Sequence, residues 1–174
     1  MMNTRKLIMT IGMMLAVISF IYTPLASADV DQSSTSETGI RVGKYLSEIT
    51  LEDLNGSQVT VAQSGKITVI NFWATWCPPC REEMPEFNIF AQSNQQNVDF
   101  YAVNLQESNE KVSEFMNQNG YSMPILLDTN GVVAKKFQIT AIPTTIIVNK
   151  HGMIKYRKSG AMTSNELEGI INSL

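Results

Sequence analysis

The chain reads as an α/β protein, a mixed central sheet flanked by helices. Three observations carry that reading. β-Branched and aromatic runs alternate with stretches whose apolar residues recur at helical spacing. The run Ile67–Trp73 lacks the polar positions of a half-exposed strand. The chain then closes on a hairpin signal followed by an amphipathic stretch.

Taken in order, residues 46–54 and 58–62 flank Asn55-Gly56, a pair that suits the positive φ values of a tight hairpin turn. Residues 67–73 follow as a strand buried on both faces. Residues 81–93 place Met84, Phe87 and Phe90/Ala91 on one helical face, with Pro85 set to kink the helix. Residues 98–105 make the next strand. Residues 110–119 form a helix with Val112, Phe115 and Met116 on one face, stopped by Gly120. A short run, 124–127, leads through the turn Asp128-Thr129-Asn130-Gly131 into a short helix, 132–137. Residues 144–149 and 153–158 flank a turn at His151-Gly152 as a second hairpin. Residues 164–174 close the chain as an amphipathic helix capped by Thr163 or Ser164.

Arg5 and Lys6 precede an apolar stretch, 7–22, and Ala26-Ser27-Ala28 follows, which is the order of a secretory signal. Residues 1–28 are therefore expected to act as a signal peptide or, if retained, as an uncleaved membrane anchor. The basic residues stay inside, and the rest of the chain lies outside. No cysteine lies near the segment, so a lipidated N-terminus is excluded. Residues 29–41 read as a flexible tether, and 42–174 as one domain with its own core. Without Arg5 and Lys6, 11 basic residues face 16 acidic ones, a formal charge of −5. Nucleic-acid binding needs a basic patch that this composition does not offer.

The 2 cysteines of the chain stand in Trp76-Cys77-Pro78-Pro79-Cys80, directly after the buried strand and before the first long helix. A thiol at a helix start faces unpaired N–H groups and the positive end of the dipole, which favours its thiolate. The second thiol is one turn on, close enough to close a small disulfide ring. Pro78 and Pro79 fit there because the first helical residues have no intrahelical N–H bond to lose. As a structural staple so short a bridge would close almost no loop and stabilise little. A zinc site wants about four ligands, and His151 is the one further Cys or His. Redox exchange, which needs no metal and no organic cofactor, is the chemistry that remains.

On the residues Asn71-Phe72-Trp73-Ala74-Thr75-Trp76-Cys77-Pro78-Pro79-Cys80-Arg81-Glu82-Glu83-Met84-Pro85, and on Ile142-Pro143-Thr144, the chain resembles the thioredoxin fold. More narrowly it resembles the TlpA/ResA/DsbE-like group of extracytoplasmic thiol–disulfide oxidoreductases, in the pattern of the ResA and StoA proteins of endospore-forming bacteria. The likeness covers about 42–174. It implies a thioredoxin-like fold with an N-terminal β-hairpin and a central helix–strand insertion, about 107–127.

The resemblance also implies roles. Cys77 is the attacking thiol and Cys80 the resolving one. Asn71 occupies the place of a buried Asp that accepts a proton in cytosolic thioredoxins; Asn cannot titrate, and in the ResA-like group the role is assigned to the Glu matching Glu83. Spacing agrees, since Glu83 lies on the face of Cys80 beside Met84 and Phe87, where burial would raise its pKa. The competing reading makes Glu82, Glu83 and Glu86 one solvated helix face. The Ile142-Pro143 bond is expected to be cis, to lie against the disulfide and to pair its backbone with an extended substrate.

The substrate-binding set is Trp76, which flanks an exposed thiol, with Pro78, Pro79, Ile142, Pro143 and Thr144. Trp73 either joins that set or belongs to the core, and His151 is a solvated turn residue. The implied partners are a protein client with a disulfide and a CcdA-type membrane electron donor, with the domain acting as a monomer. The client would be apocytochrome c or a cell-wall protein of spore cortex synthesis. Two other functions stand beside this one. A general disulfide-forming oxidant would be favoured by a Pro-His pair between the cysteines, which Pro78-Pro79 is not. A thioredoxin-fold copper chaperone would usually need wider cysteine spacing and a distant His.

Overall fold

The structure, a computed structural model, describes residues 38–174, so the leader and most of the tether lie outside the described residues. Thr38–Gly39 (β1) and Tyr45–Leu46 (β2) make a two-residue parallel ladder. A seven-stranded sheet follows, built from Ile49–Asp53 (β3), Gln58–Val61 (β4), Ile67–Trp73 (β5), Val98–Leu105 (β6), Ile125–Asp128 (β7), Thr144–Val148 (β8) and Ile154–Ser159 (β9). Its spatial order is β4-β3-β7-β6-β5-β8-β9. The helices are Pro78–Ser93 (α1), Asn109–Asn119 (α2), Val132–Lys136 (α3) and Ser164–Asn172 (α4). β5, β6 and β7 run parallel, while the hairpins β3–β4 and β8–β9 join antiparallel on either side. This is the thioredoxin-like mixed sheet that the sequence predicts.

Every residue of β5 is buried, because the strand has a neighbour on each edge and helices over each face. Its alternation divides the core. Val69 and Trp73 face Met84, Phe87 and Phe90 of α1, Val112 of α2 and Leu167 of α4. Ile70 and Phe72 face Val133 and Phe137 around α3, with Ile49, Val103 and Ile146. The aromatic rings meet at an angle: Phe87 stands edge-on to Phe100 at 5.5 Å, and Phe115 of α2 lies 5.5 Å from Trp73. Trp73 is thus core, with none of its surface exposed.

The inserted elements α2 and β7 widen the sheet, since β7 lies between β6 and β3 and gives the N-terminal hairpin an edge to pair with. Gly56 (φ 78°) turns that hairpin, and Gly120 (φ 66°) ends α2 in the left-handed conformation. One strand differs from expectation. Residues 46–54 do not run as a single strand, because the Leu46 N–H is taken by the Gly152 carbonyl at 2.8 Å and Tyr45 bridges to Met153. The start of that segment straps the β8–β9 turn before the chain enters β3. α1 also begins at Pro78, earlier than the apolar pattern marks it.

Candidate active site

β5 ends at Trp73, and a tight turn, closed by the Cys77 N–H on the Ala74 carbonyl at 3.2 Å, hands the chain to α1. Cys77 is the N-cap of α1, and its Sγ accepts the Cys80 N–H at 3.3 Å. Two prolines in the first turn cost no helix hydrogen bond. Cys77 and Cys80 are joined as a disulfide, with Cα atoms 5.3 Å apart. The expectation of an exposed thiol at Cys77 is corrected: only 3% of the residue is exposed and none of Cys80. The reason is the neighbouring loop, whose Ile142 carbonyl oxygen lies 3.7 Å from Cys77 Sγ. What projects into solvent is Trp76, 64% exposed, with Pro78 and Pro79 beside it.

The Ile142–Pro143 bond is cis, Pro143 is buried, and Ile142 is half-buried. Thr144 departs from its expected part in a substrate surface. It is 1% exposed, its backbone pairs with Phe72 on one side and Ser159 on the other, and its hydroxyl bonds the Ala141 carbonyl at 2.7 Å and Ser159 Oγ at 2.9 Å. With both edges taken, Thr144 braces the loop from inside. His151 is exposed in the β8–β9 turn, at the far end of β8 from that loop.

The three glutamates of α1 separate. Glu82 is exposed, Glu86 accepts the Ser164 N–H at the start of α4 at 2.8 Å, and Glu83 is 4% exposed. Glu83 Oε1 accepts from the Asn71 side-chain amide at 2.8 Å, and Oε2 accepts from the Met162 N–H at 2.9 Å. The Asn71 amide also reaches Thr145 Oγ1 at 3.1 Å. Burial pushes the Glu83 carboxyl up to about 7 against the pull of the Met162 N–H, the Asn71 amide and the Lys158 ammonium. A carboxyl in that range gives and takes a proton near neutrality. The Gly160 N–H bonds the Pro143 carbonyl at 2.8 Å, so one short segment before α4 touches both the proline loop and Glu83.

A second buried carboxylate escaped the sequence reading. Glu107, 6% exposed, accepts the Thr75 N–H at 2.7 Å, the Thr75 hydroxyl at 2.6 Å and the Asn104 side-chain amide at 2.9 Å, and pairs with Lys111 at 2.7 Å. Burial pushes this carboxyl up, but the Lys111 ammonium and the Thr75 and Asn104 donors together hold it below the ordinary range. One signal could have found it. Glu107 stands just past the carboxyl end of a parallel strand, where open α/β sheets gather functional groups. Among the described residues, no group of three or more His, Cys, Asp or Glu side chains is placed to hold a metal ion, and no helix is long and apolar enough to cross a membrane.

A Cys-x-x-Cys at the start of a helix, beside a cis-proline loop on a thioredoxin-like sheet, defines a thiol–disulfide oxidoreductase. Comparison with known proteins agrees. Residues 41–171 match the Redoxin family model, and the chain belongs to that family. It is 31% identical to the thiol-disulfide oxidoreductase ResA of Bacillus subtilis, across 99% of this chain and 95% of the relative. It is 34% identical to ResA of Halalkalibacterium halodurans, across 96% and 94%. The crystal structure of StoA from Bacillus subtilis superposes with a TM-score of 0.62 at 33% identity, over 71% of this chain and 95% of that one. The chain is an enzyme of the ResA/StoA type.

Proposed function

We propose that this protein reduces a disulfide in a specific exported protein client, working outside the cytoplasmic membrane from behind a leader formed by residues 1–28. The observation that carries the reading is Glu83, a buried carboxyl raised to about 7, one turn past Cys80 and held by Asn71 and Met162. A resolving thiol enclosed in the fold needs a local base, and the buried Glu83 carboxyl one turn along the same helix supports that assignment.

In the proposed cycle the Cys77 thiolate attacks one sulfur of the client disulfide and expels the other as a thiolate. The client is then held on Cys77 along the Ile142–Pro143 loop, with Trp76, Pro78 and Pro79 forming the surrounding surface. Cys80 passes its proton to Glu83 and attacks Cys77 Sγ. The client leaves with both sulfurs reduced, and the Cys77–Cys80 pair leaves oxidised. A CcdA-type membrane donor would return the two electrons, because the compartment itself is oxidising. Apocytochrome c and a cell-wall protein of spore cortex synthesis are the two client classes in view, and the domain of residues 42–174 would act as a monomer.

The test is covalent capture. Cys80→Ala leaves the attack but removes the resolution, so it should accumulate a client disulfide-linked to Cys77 on non-reducing gels. Cys77→Ala should accumulate none. Equal capture by both variants would overturn the order of attack.

A further inference from the structure

Thr75 stands two residues before Cys77 and next to exposed Trp76, in a turn with no side-chain tie to α1 among the hydrogen bonds of Thr75. What fixes it comes from across the sheet. β6 ends at Leu105, and the next residue, Gln106, takes φ 56°, a left-handed value that non-glycine residues seldom adopt. Glu107 follows that reversal, and both of its oxygens are spent on Thr75, one on the backbone N–H and one on the hydroxyl.

An exposed Glu–Lys pair at i,i+4 would be surface decoration. Here the carboxylate is enclosed, and three elements meet on it: the β5–α1 turn through Thr75, β6 through Asn104, and α2 through Lys111. The hold is specific to the turn that aims the redox pair, since the Ala74 carbonyl of the same turn receives the Cys77 N–H.

We infer that Glu107 is a positioning residue for the redox site, fixing the Ala74–Cys77 turn through Thr75 so that Trp76 and Cys77 meet a client disulfide in one geometry. The inference rests on the proposed attack by Cys77. It also gives the inserted helix a part in the chemistry: Lys111 of α2 keeps the carboxylate charged, and the charged form is the better acceptor for both Thr75 donors.

The experiment uses the full chain, with insulin as the disulfide substrate and iodide quenching as the reporter on Trp76, the exposed tryptophan. Glu107→Ala should lower kcat at least tenfold while KM stays within twofold, and should change the quenching of Trp76. Glu107→Gln keeps an acceptor oxygen for the Thr75 N–H and should restore kcat to within threefold of the parent. If Glu107→Ala does not fold, Thr75→Val removes the hydroxyl donor alone and should lower kcat about threefold. Parental kcat and quenching in Glu107→Ala, or in Thr75→Val where the alanine variant is lost, would overturn the inference. So would a fall in Glu107→Gln as deep as in Glu107→Ala, because charge rather than the grip on Thr75 would then be at work. Cys80→Ala, run alongside, separates the two readings. Absence of insulin capture on that variant refutes the attack by Cys77, whereas normal capture with an indifferent Glu107 refutes the positioning role alone.

Discussion

The Asn71 side-chain amide donates to Glu83 across 2.8 Å, so a neutral group on the central strand holds the buried carboxyl of the helix. Asn71 lies on the innermost strand and is fully enclosed, so an ionisable group there would carry a heavy desolvation cost. The amide holds the geometry without a charge. In the proposed cycle Glu83, on the helix that bears the cysteines, carries the proton.

Asn71→Asp should expose this arrangement. The new carboxyl would face Glu83 at hydrogen-bond distance, and two enclosed carboxylates cannot both ionise. At pH 5 the pair shares a proton, and the variant should unfold in urea close to the parent. At pH 8 it should be less stable by about 3–5 kcal/mol, the usual cost of an uncompensated buried charge. An equal loss at both pH values would mean that Asn71 contributes packing alone.

Glu83 should also leave a mark on the pH dependence of the oxidised protein. Its folded pKa of about 7 lies above the unfolded carboxylate value, so the folded state binds the proton more tightly. The sign follows directly. The stabilising contribution is complete below the unfolded value and disappears as pH rises through about 7. The fall should be about 3 kcal/mol. Glu83→Gln should flatten it, as measured by urea unfolding from pH 4 to pH 9. His151→Ala, which removes the chain's one histidine from an exposed turn, should leave it in place.

Trp76 offers a prediction of the opposite kind. With 64% of its surface in solvent it contributes little to the fold, and Trp76→Ala should change stability by no more than about 0.5 kcal/mol. If it forms the client-facing surface, turnover of insulin should still fall several-fold through KM. A large drop in unfolding midpoint with unchanged turnover would assign it to the fold instead.

Much of this was legible in the residues, and the parts that were not have physical reasons. β5 announced itself because a strand enclosed on both faces admits few polar residues, and of its two, Thr68 and Asn71, the Asn71 amide N–H groups are taken up by Glu83 and Thr145. The helices showed through periodicity, and Gly56 and Gly120 through positive φ. The cis bond before Pro143 came from resemblance, because an Ile-Pro-Thr run carries no local sign of it. Thr144 was misplaced because residues flanking a binding loop look alike in sequence whether they face the client or brace the loop from inside. Glu107, marked only by its place just past the end of β6, was passed over for a different reason. Its grip on Thr75 spans 32 residues and depends on a reversed backbone at Gln106, and neither feature repeats with any period.

The strap of β2 across the β8–β9 turn fixes where the described chain joins its sheet. Leu46 and Gly43 bond to Gly152 and Ile154, next to the end of β8 that pairs with the start of β5; the cysteines follow the other end of β5. Seven residues of strand separate those ends, about 20 Å at roughly 3.3 Å per residue. The molecule therefore has poles. The strap and the disulfide lie at opposite ends of β5, so an incoming protein could approach the Cys77 end without first crossing residues 43–46.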